Sequence, residues 1–247
     1  MKLFCLFVCL LTTLTSISQT CIICIKIKNS IYVAADSRTV TTNYLLKTNG
    51  SIEKIYTKGE MCKIFHFKGY NFACAGRYIL DVKDEAIKAA NKYLSFKEVA
   101  VNIQKAVFNR INDSLNKKAK ANYAIFKESI SGKTNLTQFL IFGAEKDSLI
   151  RYHIRYQVVI KDYDSSFTLN SYLDETIPSA YVFGNNFAIK EEVENKKEWS
   201  GDIKKEINCL MEKQIKADSI NVGKPIQIRL STKKGSKWIQ NERPCKN

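Results

Sequence analysis

Residues 20–38 read TCIICIKIKNSIYVAADSR, two β-branched apolar runs separated by a short polar turn. Runs of this kind on either side of a polar turn predict a β-hairpin. If the chain turns at Lys28-Asn29, paired residues have numbers that sum to 57, so Thr20 lies opposite Ser37. The hairpin therefore brings the Thr20 hydroxyl close to Asp36 and Arg38, which flank Ser37.

The segment before this hairpin has the pattern of a secretory signal peptide. Residues 1–19 carry Lys2 as their only charge, followed by the apolar run from Leu3 to Leu14 and a Ser/Thr-rich tail. The run is too short to span ~30 Å of hydrocarbon, so we expect no membrane anchor. We divide the chain into a signal or pro-segment, 1–19, and one domain, 20–247, and expect export to a periplasm or the exterior.

Composition and charge exclude several classes of protein. The chain has 247 residues, 45% of them hydrophobic, which indicates an ordinary globular domain rather than a disordered chain. Its net charge of +15 is spread in ones and twos, which favours a lysine-rich solvated surface and argues against a nucleic-acid partner. A basic nucleic-acid or anionic-surface binder is the rival interpretation, and it predicts binding that weakens steeply with salt.

The cysteines predict no metal or redox site. Cys21-x-x-Cys24 lies in a β-branched run, where residues three apart point to opposite faces of a strand. A tetrahedral metal site also needs a second ligand pair at compatible spacing, and the sequence offers none. We therefore expect structural cysteines, no metal and no cofactor.

Strand-like and helical stretches alternate along the chain. Two strand-rich stretches are each followed by a helical stretch, and the chain closes with a pair of strands. We predict strands at 21–27, 31–35, 64–67, 70–75, 139–142, 149–155, 157–160, 180–183, 225–230 and 237–240. We predict helices at 79–93, 99–115, 187–193 and 203–215, with a break near Ser95 and a cap at Ser200. This order predicts an α+β fold with sheets stacked between helix layers.

The search for catalytic motifs mostly fails, and the failures narrow the field. The sequence has no G-x-S-x-G elbow and no G-x-G-x-x-G loop. Its two histidines, His66 and His153, each lie inside a strand-like run, far from any Ser or Cys motif. A Ser-His or metal-hydrolase mechanism needs more than this, so we expect packing or surface roles for both histidines.

A different chemistry is available at Thr20. Removing the preceding segment would give this residue a hydroxyl and a free α-amine, whose pKa of ~7.7–8.0 suits it as a general base. A desolvated lysine near the hydroxyl would favour the alkoxide, and Asp36 would keep that lysine charged. The alternative is that Thr20 is only the first strand residue and Asp36 belongs to a structural ion pair.

At this point the chain resembles a known family, the proteasome-like N-terminal nucleophile (Ntn) hydrolases. The residues that carry the resemblance are Thr20-Cys21-Ile22-Ile23, Ala34-Ala35-Asp36-Ser37-Arg38, Lys63-Ile64-Phe65, Ala75-Gly76, and Asp218 with Gly223-Lys224-Pro225-Ile226. The spacing from Thr20 to Asp36 and Arg38 agrees with the family without gaps. The order of elements agrees along the whole mature chain and looks closest to the exported bacterial branch.

The resemblance implies a fold and an activity. The fold would be a four-layer αββα sandwich of two antiparallel sheets between helix pairs. The chain would be an amide-bond hydrolase without a cofactor, acting on peptides or small amides. Its nucleophile would be exposed by removal of the segment before Thr20. Homo-oligomers are common in the family, so a homo-oligomer is possible here.

The same resemblance implies roles for single residues. Thr20 would be the nucleophile, and Asp36, in one motif with Arg38, would orient the catalytic lysine. Lys54 is the best match for that lysine, with Lys58 and Lys47 as open alternatives. The remaining implied residues are the oxyanion donor Gly76, the N-terminal network of Asp218 and Asn221, and the substrate contacts Thr39, Val40, Cys74 and Tyr78.

Two departures from the family pattern bear on activity. Phe183-Gly184 stands where the family has a Ser-Gly pair, and Asn221 replaces the serine that partners Asp218. The loss of the first hydroxyl favours the alternative of a catalytically inactive relative that serves as a binding or assembly protein. Cys21 as nucleophile is a further alternative, but it would break the spacing to Asp36.

Overall fold

The computed structural model describes residues 16–17, 20–46, 51–92, 95–130, 135–161 and 165–241. Apart from the backbone at 16–17, the predicted signal segment lies outside the described residues. Those residues form a mixed α/β fold with three antiparallel sheets and five helices.

The strands are β1 Ser16–Ile17, β2 Cys21–Ile27, β3 Ser30–Asp36, β4 Arg38–Leu46, β5 Ile52–Glu60, β6 Ile64–Phe67, β7 Tyr70–Gly76, β8 Asn135–Glu145, β9 Ser148–Lys161, β10 Ser166–Asp174, β11 Ala180–Gly184, β12 Ile226–Thr232 and β13 Gly235–Asn241. The helices are α1 Ile79–Lys92, α2 Phe96–Ala121, α3 Tyr123–Ile130, α4 Lys190–Glu194 and α5 Ile203–Ala217.

Two five-stranded sheets, in the orders β11-β2-β3-β12-β13 and β10-β9-β8-β7-β6, carry most of the strands. A third sheet, in the order β1-β4-β5, continues from the end of β3. The opening hairpin pairs Ile22 with Ala35, so the predicted register, with numbers that sum to 57, is confirmed. This register fixes the start of β2 beside the end of β3.

The core consists of three apolar clusters. One joins the two five-stranded sheets, with Ile22 and Val33 from one sheet against Ala73 and Leu140 from the other. Because successive strand residues face opposite sides, Cys74 points instead into the cluster formed with helices α1–α3. The third cluster packs α4 and α5 against the sheet that contains β2.

Several predicted elements are confirmed and others need correction. The break near Ser95 is the start of α2, where Ser95 caps the helix in a capping box with Glu98. The predicted strands at 149–155 and 157–160 are one strand, β9. The cap of α5 is Asp202 rather than Ser200, since the Asp202 side chain accepts the Lys205 N–H. Elements β1, β4, β5, β10 and α3 were not predicted.

Candidate active site

Three buried polar side chains meet where strands begin or end. Thr20 directly precedes β2, Asp36 ends β3, and Lys63 directly precedes β6. All three residues are 0% exposed. The Lys63 Nζ donates hydrogen bonds to the Thr20 Oγ1 and, at 2.8 Å, to the Arg38 carbonyl. The ammonium therefore contacts the hydroxyl that the sequence singles out as a nucleophile.

The Asp36 carboxylate is held by three backbone donors. Its Oδ1 accepts the Cys21 N–H at 3.0 Å, and its Oδ2 accepts those of Arg38 at 3.1 Å and Gly223 at 3.2 Å. Complete burial raises the pKa of Asp36 to about 6, although the Lys63 charge and these donors act in the opposite direction. At neutral pH the carboxylate is therefore charged, with Lys63 as its counter-charge.

The Lys63 ammonium is desolvated by its surroundings. Burial lowers the pKa of Lys63 below the usual value of a lysine, and the charge of Asp36 partly offsets that effect. A desolvated cation beside a hydroxyl stabilises negative charge on that oxygen more strongly than a hydrated one would. The pair can therefore favour the alkoxide form of Thr20.

The prediction of Lys54 as the lysine beside Thr20 is wrong. Lys54 lies on β5, where its side chain is 41% exposed and forms an ion pair with Glu128 at 2.7 Å. Lys58 is exposed on the same strand, and Lys47 lies outside the described residues. A long β4–β5 hairpin separates Asp36 from Lys63, and the sequence spacing did not allow for it.

Asn185 links Thr20 to a second polar group. The Asn185 N–H donates to the Thr20 carbonyl at 2.7 Å, and its Nδ2 donates to Asp218. Burial raises the pKa of Asp218, but hydrogen bonds from Asn221 and Asn185 outweigh it, so that pKa lies below its usual value. The predicted pairing of Asp218 with Asn221 is confirmed by contacts of 2.9 Å and 3.1 Å.

Phe183 stands where the resembled family has a serine. Its ring packs in the core against His153, with centroids 4.8 Å apart, and against Tyr181. The backbone donor beside Thr20 comes from Asn185, two residues later. The effect of the missing serine hydroxyl on a free Thr20 amine stays a prediction.

Arg38 fastens the segment after α5 to the site. Its Nη1 donates to the carbonyls of Ser219 and, at 3.3 Å, Val222. Its own carbonyl accepts a hydrogen bond from Lys63, and its N–H donates to Asp36. Arg38 therefore connects the chain after α5 with Asp36 and Lys63.

Two glycines allow close backbone approach at the site. Gly184 has φ +82°, and a Cβ there would lie 1.7 Å from the Thr20 carbonyl oxygen and 3.1 Å from the Cβ of Ala75. Gly76, the predicted oxyanion donor, has φ +99°, and a Cβ would lie 2.3 Å from the Leu136 carbonyl oxygen. Only glycine fits either backbone without strain.

The predicted substrate contacts divide into two groups. Thr39 and Val40 lie on β4, the strand that continues from the site, and are 8% and 3% exposed. Cys74 is fully buried in the α1–α3 cluster, and its N–H donates to the Lys63 carbonyl at 2.9 Å. Tyr78 is half-buried and packs against the same cluster. In this state of the chain, Cys74 offers no accessible surface to a substrate.

Cys21 is poorly suited to act as the nucleophile. Its side chain is fully buried, and burial, reinforced by the nearby Asp36 charge, raises the pKa of its thiol well above the usual value. The reactive form of cysteine is the thiolate, which such a site disfavours. Thr20 therefore remains the better candidate.

Comparison with known proteins leaves the site to be judged on its own geometry. No protein-family model matches the chain, and neither does any curated protein.

Among the described residues no group of three or more His, Cys, Asp or Glu side chains is arranged to hold a metal ion. No helix in the described ranges is long and apolar enough to cross a bilayer.

Sequence reasoning missed Lys63 as a site residue, and it missed Asn185. A signal for Lys63 existed, because a lysine directly before the apolar run Ile64-Phe65 stands at the start of a buried strand. Asn185 had a weaker signal, its place directly after Gly184 at the end of β11.

Proposed function

We propose that the chain is the precursor of an N-terminal threonine hydrolase that cleaves peptides or other small amides. The observation that carries this proposal is the buried Lys63 ammonium on the Thr20 hydroxyl, with Asp36 as the counter-charge. The strand and helix order supports a proteasome-like Ntn fold, a four-layer αββα sandwich, as the scaffold.

The proposed reaction uses the residues at the start of the mature chain. Cleavage of the bond between Gln19 and Thr20 frees the α-amine, which then takes the proton of the Thr20 hydroxyl. The oxygen attacks the substrate carbonyl, and the Gly76 N–H donates to the oxyanion. The amine proton passes to the leaving nitrogen, and water then hydrolyses the ester on Thr20.

The pairing of β1 supports the precursor interpretation. Ser16 and Ile17 pair antiparallel with Thr42 and Thr41 of β4. A chain paired to a strand edge in this way occupies the place that an extended peptide would take by β-augmentation. Removal of the segment before Thr20 would therefore free both the amine and the β4 edge.

Export of the protein is part of the same proposal. Cys62 is disulfide-bonded, and disulfides persist in oxidising compartments such as the periplasm or the exterior of the cell. The predicted signal segment, 1–19, leads to the same location. A homo-oligomer stays a prediction.

The N-terminus of the exported protein tests the proposal. We expect intact mass and N-terminal sequencing to find Thr20 first, and a peptide vinyl sulfone to label that residue. Thr20→Ala should abolish the labelling while leaving the fold intact, and Thr168→Ala, on β10 of the other five-stranded sheet, should retain it. A chain that begins at Gln19 or earlier, or labelling that survives Thr20→Ala, would overturn the mechanism.

The pH dependence of labelling should steepen near the pKa of Asp36. Above about pH 6 the α-amine, with pKa ~7.7–8.0, is the one group whose protonation lowers the labelling rate. As pH falls through about 6, Asp36 also becomes neutral and Lys63 loses its counter-charge. We expect the slope of log rate against pH to rise from about one to about two. A constant slope of one down to about pH 5 would contradict this role of Asp36.

An inactive relative that serves as a binding or assembly protein is the second candidate. One feature that supports it is Phe183, which offers no hydroxyl at the position of the family's serine. The full burial of Thr20 also favours this inactive candidate, because an uncut chain keeps the hydroxyl inaccessible. The N-terminal sequencing distinguishes the two candidates directly.

A further inference from the structure

A row of buried polar side chains lines one face of β12. Gln227, Arg229 and Ser231 occupy alternate positions of this strand and are 1%, 5% and 0% exposed. The neighbouring residues Ile226 and Ile228 point to the opposite face and pack in the α4–α5 cluster. The polar row therefore faces the other five-stranded sheet, where apolar side chains are the rule.

Arg229 is a buried cation without a carboxylate partner among the described residues. Its Nε donates to the Asn71 Oδ1, and its guanidinium lies over the Trp238 ring, 4.9 Å from the centroid. Burial lowers the pKa of Arg229 below its usual value. A cation with so little contact with water usually has an anionic partner, so this environment favours the binding of a negative group.

The unused part of the guanidinium is its planar fork. Guanidinium has five N–H donors, and only the Nε donor has an acceptor in the described part of the chain. The residue keeps 5% of its surface exposed. A fork of this kind matches two oxygens of a carboxylate or phosphate.

The surrounding side chains fix the fork in place. Asn71 is fully buried, and its Nδ2 donates to the Phe142 carbonyl at 3.2 Å and to the Ser236 Oγ at 2.7 Å. The ring Nδ1 of His66 lies 3.1 Å from the same Asn71 oxygen that Arg229 uses. Burial, and then the Arg229 charge, lower the pKa of His66, which fits a local excess of positive charge.

We propose that Arg229, with Asn71, Ser236 and His66 around it, forms a binding site for a small oxyanion, a phosphate or carboxylate group. The site is separate from Thr20, because Arg229 lies three residues along β12 from Ile226, the partner of Asp36, or about 10 Å. Its residues come from β6, β7, β12 and β13. A bound anion therefore joins the edges of both sheets and stabilises the folded chain.

Thermal unfolding in phosphate or acetate tests this site. Each anion is titrated against chloride at constant ionic strength, and we expect one of the two to raise the melting temperature saturably. A rise with phosphate identifies a phosphate-type ligand, and a rise with acetate identifies a carboxylate. The absence of a rise beyond chloride with both anions would overturn the proposal.

Variants at Arg229 locate the effect. Arg229→Met should abolish the shift, and Arg229→Lys, which keeps the charge but loses the fork, should weaken anion binding by about tenfold. Lys237→Met, which removes an exposed cation from neighbouring β13, should respond as the wild type does. If Arg229→Met does not fold, Arg229→Lys decides alone, since unchanged affinity in that variant contradicts a fork-bound anion.

Discussion

Lys63→Met should reduce covalent labelling of Thr20 by about 10³-fold or more at neutral pH. Removing one electrostatic group from an oxyanion-stabilising site typically costs about 10²–10³ in rate. Here the loss is larger because Lys63 is fully buried against the nucleophilic oxygen and no water can replace it. If the chain cuts itself, the Lys63→Met precursor should also stay uncut before Thr20.

Two further variants separate chemistry from folding in this prediction. Lys63→Met leaves Asp36 buried without its counter-charge, which by itself destabilises a protein by about 3–5 kcal/mol. The double variant with Asp36→Asn should regain stability, measured by chemical denaturation, without regaining labelling. Lys54→Met, at the exposed β5 lysine, should label at the wild-type rate. Wild-type labelling by Lys63→Met would rule Lys63 out.

The part of the site that sequence predicts is local. Thr20, Asp36 and Arg38 lie on one hairpin, so strand periodicity and a turn signal determine their relative positions, and the observed register agrees. The Asp36 partner comes from another sheet. Its position depends on how two sheets pack, which no spacing along the chain encodes.

The missed lysine shows how an unrecognised element misleads a spacing argument. Strands β4 and β5 form a hairpin in which apolar residues such as Val40, Ile55 and Tyr56 are mixed with threonines and charged residues, and no strand was predicted there. With that hairpin unrecognised, Lys54 fell where a buried lysine was expected. In the structure Lys54 lies on the exposed strand β5. Lys63, which follows the hairpin and directly precedes β6, is the lysine that contacts Thr20.

The same limit applies to Phe183 and Asn185. Phe183 is the second-last residue of β11 and Asn185 directly follows the strand, so alternation, which places residues two apart on the same face, does not distinguish their environments. Phe183 faces inward and stacks on Tyr181, whereas Asn185 follows the positive-φ turn at Gly184 and reaches Thr20. The positive-φ turn at Gly184, and not the alternation, separates the two environments.

Gly184→Ala should both destabilise the protein and misplace Thr20. A non-glycine residue in the left-handed region costs about 1–2 kcal/mol, and crowding in a packed site costs about 1–3 kcal/mol, so we expect a loss of about 2–5 kcal/mol. The new methyl group would lie 1.7 Å from the Thr20 carbonyl oxygen, which is backbone and must move. Chemical denaturation measures the first effect, and vinyl sulfone labelling the second.

Gly201→Ala is the matched control for this substitution. A Cβ at Gly201 has no neighbour within 4 Å, and its backbone is not in the left-handed region. We expect the control to change the free energy of unfolding by less than about 0.5 kcal/mol and to label normally. Because Asn185 reaches the Thr20 carbonyl through the turn at Gly184, labelling by Gly184→Ala should fall even below the midpoint of denaturation. Equal behaviour of the two alanine variants would mean that Gly184 does not set the position of Thr20.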